Sequence, residues 1–120
     1  GHHPIVTTMR VPNGVTQSMA AIKPLLEAHR ASAYVCGHVH LLGYGEAGGI
    51  AYVVTGAGAT GKTYEVDEEA TAAMASPWTS DEAGFVSFAL NATALDITFL
   101  SAAGGVLLEQ SVAVPPRPAA

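Results

Sequence analysis

Charge is scarce in this sequence. Only 12% of the residues are Asp, Glu, Lys or Arg, and just five are basic, which leaves a formal net charge of -5. Such a chain has no basic stripe to follow a phosphate backbone and no polybasic patch for an anionic membrane, so neither nucleic acid nor a membrane is expected as a partner. Cysteine is rarer still. Cys36 stands alone, which rules out a disulfide within the chain, and its place at the end of Ala33-Tyr34-Val35 marks it as a small core residue rather than a nucleophile. No apolar run is long enough to span a bilayer as a helix. What is plentiful is apolar side chain, at 49% of 120 residues. A chain of that size has the length of one small domain but more to bury than its size allows, as expected for part of a larger fold.

One stretch carries the first chemical signal. In Ala33-Tyr34-Val35-Cys36-Gly37-His38-Val39-His40 an apolar run stops at Gly-His-x-His, which reads as a buried strand delivering two imidazoles at its end. Residues i and i+2 of an extended segment share a face, so His38 and His40 are expected to point the same way, roughly 6–7 Å apart, with Val39 turned into the core. Two such imidazoles can ligate one ion, or one each of a pair roughly 3.5–4 Å apart; equally, they can line a polar rim without metal. Gly1-His2-His3-Pro4 repeats the Gly-His dipeptide in what reads as another strand-end loop.

The rest of the chain supplies a frame. Residues 9–16 read as a loop with a turn at Pro12-Asn13-Gly14 and a helix cap at Thr16. Residues 17–30 place Met19, Ile22, Leu26 and His29 on one helical face with Leu25 beside it, predicting a crossover helix that Pro24 kinks; His29 is a helix-end residue. Residues 41–44 and 50–55 read as strands joined by Glu46-Ala47-Gly48-Gly49. Residues 85–90, 94–100 and 106–112 form a meander, with Leu95, Ile97 and Phe99 facing the core and Asp96 and Thr98 facing out. Trp78, beside Pro77, is expected in a loop, where it either lines a rim or anchors the loop.

Taken in order, the motifs resemble a known family. Gly1, His2 and Pro4, then Ala33, Tyr34, Cys36, Gly37, His38 and His40, then Tyr52, Val53, Gly56, Ala57 and Gly58 resemble the calcineurin-like metallophosphoesterases, and among them the type-5, tartrate-resistant purple acid phosphatases. The resemblance covers nearly the whole chain but corresponds to the C-terminal part of such an enzyme. It implies an α/β fold, the C-terminal half of the metallophosphatase β-sandwich, with a mixed sheet, one crossover helix and C-terminal antiparallel strands. Residues 1–114 would belong to that domain, and residues 115–120 would be a disordered tail.

The implied activity is hydrolysis of a small-molecule phosphate monoester, with phosphodiesters as a variant. Two metal ions would serve it, iron paired with iron, zinc or manganese; His2 and His38 would bind the divalent ion and His40 the ferric one. The family's Asp-x-His, Gly-Asp and Gly-Asn-His motifs come earlier in such enzymes, so the chain is expected to act as a fragment, inactive and prone to association alone, with no catalytic residue of its own assigned. Two departures bear on the leaving group: His3 stands where animal type-5 enzymes have tyrosine, and Val11 where they have another histidine.

Other motifs compete. Gly56-Ala57-Gly58-Ala59-Thr60-Gly61-Lys62-Thr63 matches the phosphate-binding loop pattern G-x-x-x-x-G-K-[ST] and offers a nucleotide-binding alternative, with residues 64–75 as the helix it needs. The hairpin-like strands that follow count against it, because such loops open a parallel βαβ sheet. A catalytically inactive interaction fragment is the third reading. Glu65-Val66-Asp67-Glu68-Glu69 reads as a solvated helix start rather than a metal site. Asn91-Ala92-Thr93 is a glycosylation pattern at an expected turn and suits a secreted or lysosomal protein. Nothing in the sequence speaks to oligomeric state.

Overall fold

The uninterrupted apolar segment Ile50 to Val54 becomes the axis of the molecule. In the computed structural model, which describes residues 1–11 and 17–116, it forms β3 (Ile50–Thr55) within a four-stranded mixed sheet. β1 (Ala33–Cys36) pairs with β3 in parallel, β2 (Leu42–Ala47) pairs with it antiparallel, and β4 (Ala75–Ser80) closes the far edge against β2. Ile50, Tyr52 and Val54 face the N-terminal loop, while Ala51 and Val53 face a second sheet. Burial on both faces explains why this strand shows no polar alternation. Gly48 and Gly49, at φ of 58° and 76°, make the two-residue hairpin turn between β2 and β3, a backbone that glycine adopts without strain.

The second sheet is the meander β5 (Gly84–Leu90), β6 (Ala94–Ser101) and β7 (Val106–Ala113), antiparallel throughout. Ile97 and Phe99 of β6 are fully buried against Leu42, Tyr44 and Val53 of the first sheet, and Asp96 is exposed, accepting a 2.6 Å hydrogen bond from the Ser111 hydroxyl. The rings of Trp78 and Tyr44 meet Phe99 edge-on, with centroids 4.9 and 6.2 Å away. Further along β5, Phe88 and Leu90 pair with Ile97 and Leu95 and so share the inner face, yet Leu90 stays 71% exposed. The inner face of this sheet extends past what the first sheet covers.

Two stretches differ from the sequence expectation. Trp78 lies not in a loop but in β4, an edge strand with a register shift where Ser76, at φ 51°, and Pro77 stand opposite Gly45; edge position and irregular pairing accommodate a proline that cannot donate to the ladder. The single helix over residues 17–30 is instead two short ones, α1 (Gln17–Ala20) and α2 (Ile22–Ala28), lying between the N-terminal loop and β1. Pro24 falls in the first turn of α2, where its missing N–H would have had no partner, so the break moves upstream to Ala21. Of the expected apolar face, Leu26 packs on Ile5, Ile50 and Tyr52, whereas Ile22 and Leu25 are exposed.

The acidic run begins α3 (Glu68–Ala72), whose first turn Asp67 caps by accepting from the Ala70 N–H at 3.0 Å. The turn Pro12-Asn13-Gly14, the cap Thr16 and residues 117–120 lie outside the described residues.

Because Phe99 fills the space between the two sheets, Phe99→Ala is expected to lower the free energy of unfolding by about 3–5 kcal/mol. Leu90→Ala, at an exposed site, should change it by no more than about 0.5 kcal/mol. Urea titration followed by tryptophan fluorescence measures both, since Trp78 packs against Phe99.

Candidate metal centre

The parallel pairing of β1 and β3 brings the ends of both strands to one side of the sheet, and the N-terminal loop is tied to the same place. The Gly1 nitrogen donates to the Val35 carbonyl at 2.8 Å, the Gly37 N–H donates to the His2 carbonyl at 3.0 Å, and the Tyr34 hydroxyl donates to the His3 carbonyl at 2.9 Å. Burial, and to a smaller degree the Cys36 thiol, raises the Tyr34 phenol above its ordinary range, which keeps it a donor. Pro4 is fully buried and Ile5 packs on Ile50 and Tyr52, anchoring the loop from the other side. These contacts carry His2 and His3 to the end of β1.

His38 meets them there. Its φ is 61°, in the left-handed region, which for a residue other than glycine costs about 1–2 kcal/mol. Val39 is buried against Met9, Cys36, Leu41 and Val54, as its alternation predicted, and the half-buried His38 ring turns towards the loop. His38 Nδ1 stands 3.2 Å from His2 Nε2. The His3 ring centroid lies 4.2 Å from that of His38 and 4.7 Å from that of His2. One nitrogen from each of the three imidazoles lies within 4.8 Å of the other two. Desolvation, then the neighbouring imidazoles of His3, His2 and His40, hold His38 below its usual range and favour the neutral form that donates to a metal.

Of the residues expected to bind metal, the structure brings together His2 and His38, with His3 beside them, while His40, expected to serve the other ion, is not among the three imidazoles gathered there. Expecting His38 and His40 on one face assumed an extended backbone through residue 40. The left-handed turn at His38 ends that geometry, and residues 38–40 are bends rather than strand. His40 is exposed, with its N–H donating to the Tyr64 hydroxyl at 3.0 Å and its carbonyl accepting from the Lys62 N–H at 2.6 Å. A signal for His3 was present in the His2-His3-Pro4 run, since the proline holds the preceding residue extended and the doubled histidine offers two rings at one loop.

The nucleotide-binding alternative finds no supporting geometry. Residues 62–67 form no helix, so no helix N-terminus faces the glycine loop. Lys62 and Thr63 instead line an open cleft of about 340 Å³ with Tyr64, Ser80 and Asp81, and the Thr63 hydroxyl donates to the Asp81 carboxylate at 2.8 Å. Cys36 is buried, and burial pushes its thiol up to about 11, as befits a core residue rather than a nucleophile.

A mixed sheet packed on an antiparallel one, with histidines gathered at its strand ends, is a partial metallophosphatase-like fold. Two known proteins are similar to the chain over nearly all of its length. It is 29% identical over 124 residues to tartrate-resistant acid phosphatase type 5 of Rattus norvegicus, an alignment covering 98% of this chain and 37% of that protein. GAP50, the anchor in the inner membrane complex of Plasmodium, superposes with a TM-score of 0.80 at 18% identity, covering 98% of this chain and 36% of that one. The chain thus spans little more than a third of either. No family model matches the sequence. The relation to the purple acid phosphatases is a distant one, at the level of the superfamily.

Gly56 explains part of the Gly-Ala-Gly motif, because a Cβ there would collide with the Val39 carbonyl that lies next to His38, whereas one at Gly58 would meet open space. Gly56→Ala should therefore cost more than about 2 kcal/mol of stability and Gly58→Ala less than about 0.5 kcal/mol. Equilibrium denaturation of the two variants side by side checks the difference.

Proposed function

We propose that the chain is the C-terminal part of a metal-dependent phosphate-monoester hydrolase of the acid phosphatase kind, to which it contributes imidazole ligands. The observation that carries this reading is the meeting of His2 and His38, 3.2 Å apart, at the strand ends of a metallophosphatase-like fold. In this reading His2 and His38 serve one divalent ion and His40, on the same loop as His38, serves a second; iron with iron, zinc or manganese is the pair that the resemblance to purple acid phosphatases supplies. The donors fit such ions, since neutral imidazole suits zinc and iron. When bound, a metal pair supplies Lewis acidity that activates water and neutralises charge on phosphate oxygens.

What this chain's residues do is hold and orient. The loop hydrogen bonds fix the His2 and His3 backbones, and the Tyr64 hydroxyl and Lys62 N–H fix that of His40. The remaining ligands and the proton donor to the leaving group would come from the part of the protein that the rat relative has beyond the aligned region. The Asn91-Ala92-Thr93 turn is fully exposed, with Asn91 Oδ1 accepting from the Thr93 and Ala94 N–H groups, a position open to glycosylation that supports a secretory or lysosomal setting.

In the full-length protein, His38→Ala and His40→Ala should each abolish p-nitrophenyl phosphate hydrolysis and reduce bound metal below two equivalents. Lys62→Ala should leave hydrolysis within about threefold and reveal no magnesium-dependent ATP binding. Full activity with full metal content in either histidine variant would sink the proposal.

A further inference from the structure

Residues 62–67 join the end of the glycine-rich loop to the start of α3, and on the way they bond to both histidine-bearing segments of the chain. The Lys62 N–H donates to the His40 carbonyl at 2.6 Å, and the His40 N–H donates to the Tyr64 hydroxyl at 3.0 Å. Further along, the partner changes to the segment that follows His2 and His3. The Arg10 N–H donates to the Glu65 carbonyl at 2.9 Å, Met9 and Val66 form an isolated antiparallel bridge, and the Asp67 N–H donates to the Thr8 carbonyl at 2.8 Å. Both ends of the stretch are fixed. At its start a Cβ on Gly61 would collide with the Asp81 carbonyl, so the two backbones lie in contact, and the Thr63 hydroxyl donates to the Asp81 carboxylate at 2.8 Å. At its end Asp67 caps α3.

The loop that carries His40 does not hold that residue by itself. Residues 38–41 are bends, in which the Val39 N–H donates to the Gly37 carbonyl at 2.7 Å and the Leu41 N–H to the Val39 carbonyl at 2.9 Å. The N–H and the carbonyl of His40 instead both find their partners in residues 62–64. Backbone donors and acceptors must be paired somewhere, so this stretch decides where the His40 backbone sits. One of the two partners is a side-chain oxygen. The Tyr64 ring packs on Met9, Cys36, Val39, Leu41 and Val54, and that packing directs its hydroxyl at the His40 N–H.

We propose that residues 62–67 are a strap that sets the two histidine-bearing segments relative to one another, with Tyr64 as the positioning residue for His40. This role deepens the functional reading above and rests on it for the ion that His40 serves; the strap, and the part played by the Tyr64 hydroxyl, are claims of their own. Without that hydroxyl the His40 backbone is held from one side only. Its imidazole then samples more orientations and binds its ion more weakly, while His2 and His38 keep theirs.

The test is Tyr64→Phe in the full-length protein, which removes the oxygen and keeps the ring in its packing. Deuterium uptake at the His40 amide, followed in peptides that contain it, should speed up about fivefold, as the loss of one hydrogen bond implies. In competition with EDTA, with bound metal counted by atomic emission, one of the two ions should be held about tenfold more weakly and the other as before. Cooperative unfolding should stay where it is in the parent protein. In a His40→Ala background, Tyr64→Phe should have no further effect on the ion that remains, because the hydroxyl acts through His40. Either the exchange or the metal retention left at its parental value by Tyr64→Phe overturns the inference. So does equal loss of both ions, a further loss in the His40→Ala background, or failure to fold, since the hydroxyl would then support the packing and not the ligand. If His40→Ala loses an ion and Tyr64→Phe keeps both, this inference falls alone; if His40→Ala itself keeps both ions, the functional reading falls with it.

Discussion

Three hydrogen bonds between the N-terminal loop and the end of β1 govern the chemistry of this molecule. They run from the Gly1 nitrogen to Val35, from the Tyr34 hydroxyl to His3 and from Gly37 to His2, and they convert a loop without regular structure into a fixed neighbour of a strand end. Each is worth only about 1 kcal/mol in net stability, but together they carry two imidazoles to a third that is 36 residues away in sequence. The other side of the constraint is steric. The parallel β1–β3 pair sets the Gly56 backbone against the Val39 carbonyl, and this contact, closed to any side chain, defines the course of the loop that carries His38.

Strain and burial then aim the rings. Val39 is drawn into the core with Cys36 and Val54, and His38 takes a left-handed backbone as the chain turns, which points its ring at the N-terminal loop instead of along the strand. A histidine tolerates that conformation better than a β-branched residue would. The result is a cluster of nitrogen donors on an apolar scaffold, with three imidazoles and no carboxylate grouped there among the described residues.

Much of the scaffold was legible because apolar patterning reflects burial. The continuous run of β3 reported burial on both faces, and the alternation of Leu95, Ile97 and Phe99 reported the inner face of β6. β4 was not legible, since Ser76-Pro77-Trp78-Thr79 shows no alternation and holds a proline; only its pairing with β2, across an irregular register, makes it a strand. The helical face over residues 17–30 was overread for a related reason: periodicity says that a face exists, not that anything covers Ile22 and Leu25. At the site, His2 and His38 were found by motif, but the pairing of His38 with His40 applied a strand rule past the end of β1 at Cys36, and a dihedral angle cannot be read from composition. The glycine loop shows the converse failure, a matching pattern without the helix that gives the pattern its meaning.

The central claim is that imidazoles from the first loop and from the end of β1 act on one ion. Long-range proton–nitrogen correlation spectra of the histidine rings, recorded as zinc is added to the chain, test it residue by residue. The ring nitrogens of His2, His3 and His38 should shift together and saturate at one equivalent, with those of His29 unmoved. Shifts confined to His38 and His40, with the rings of the first loop undisturbed, would contradict the account.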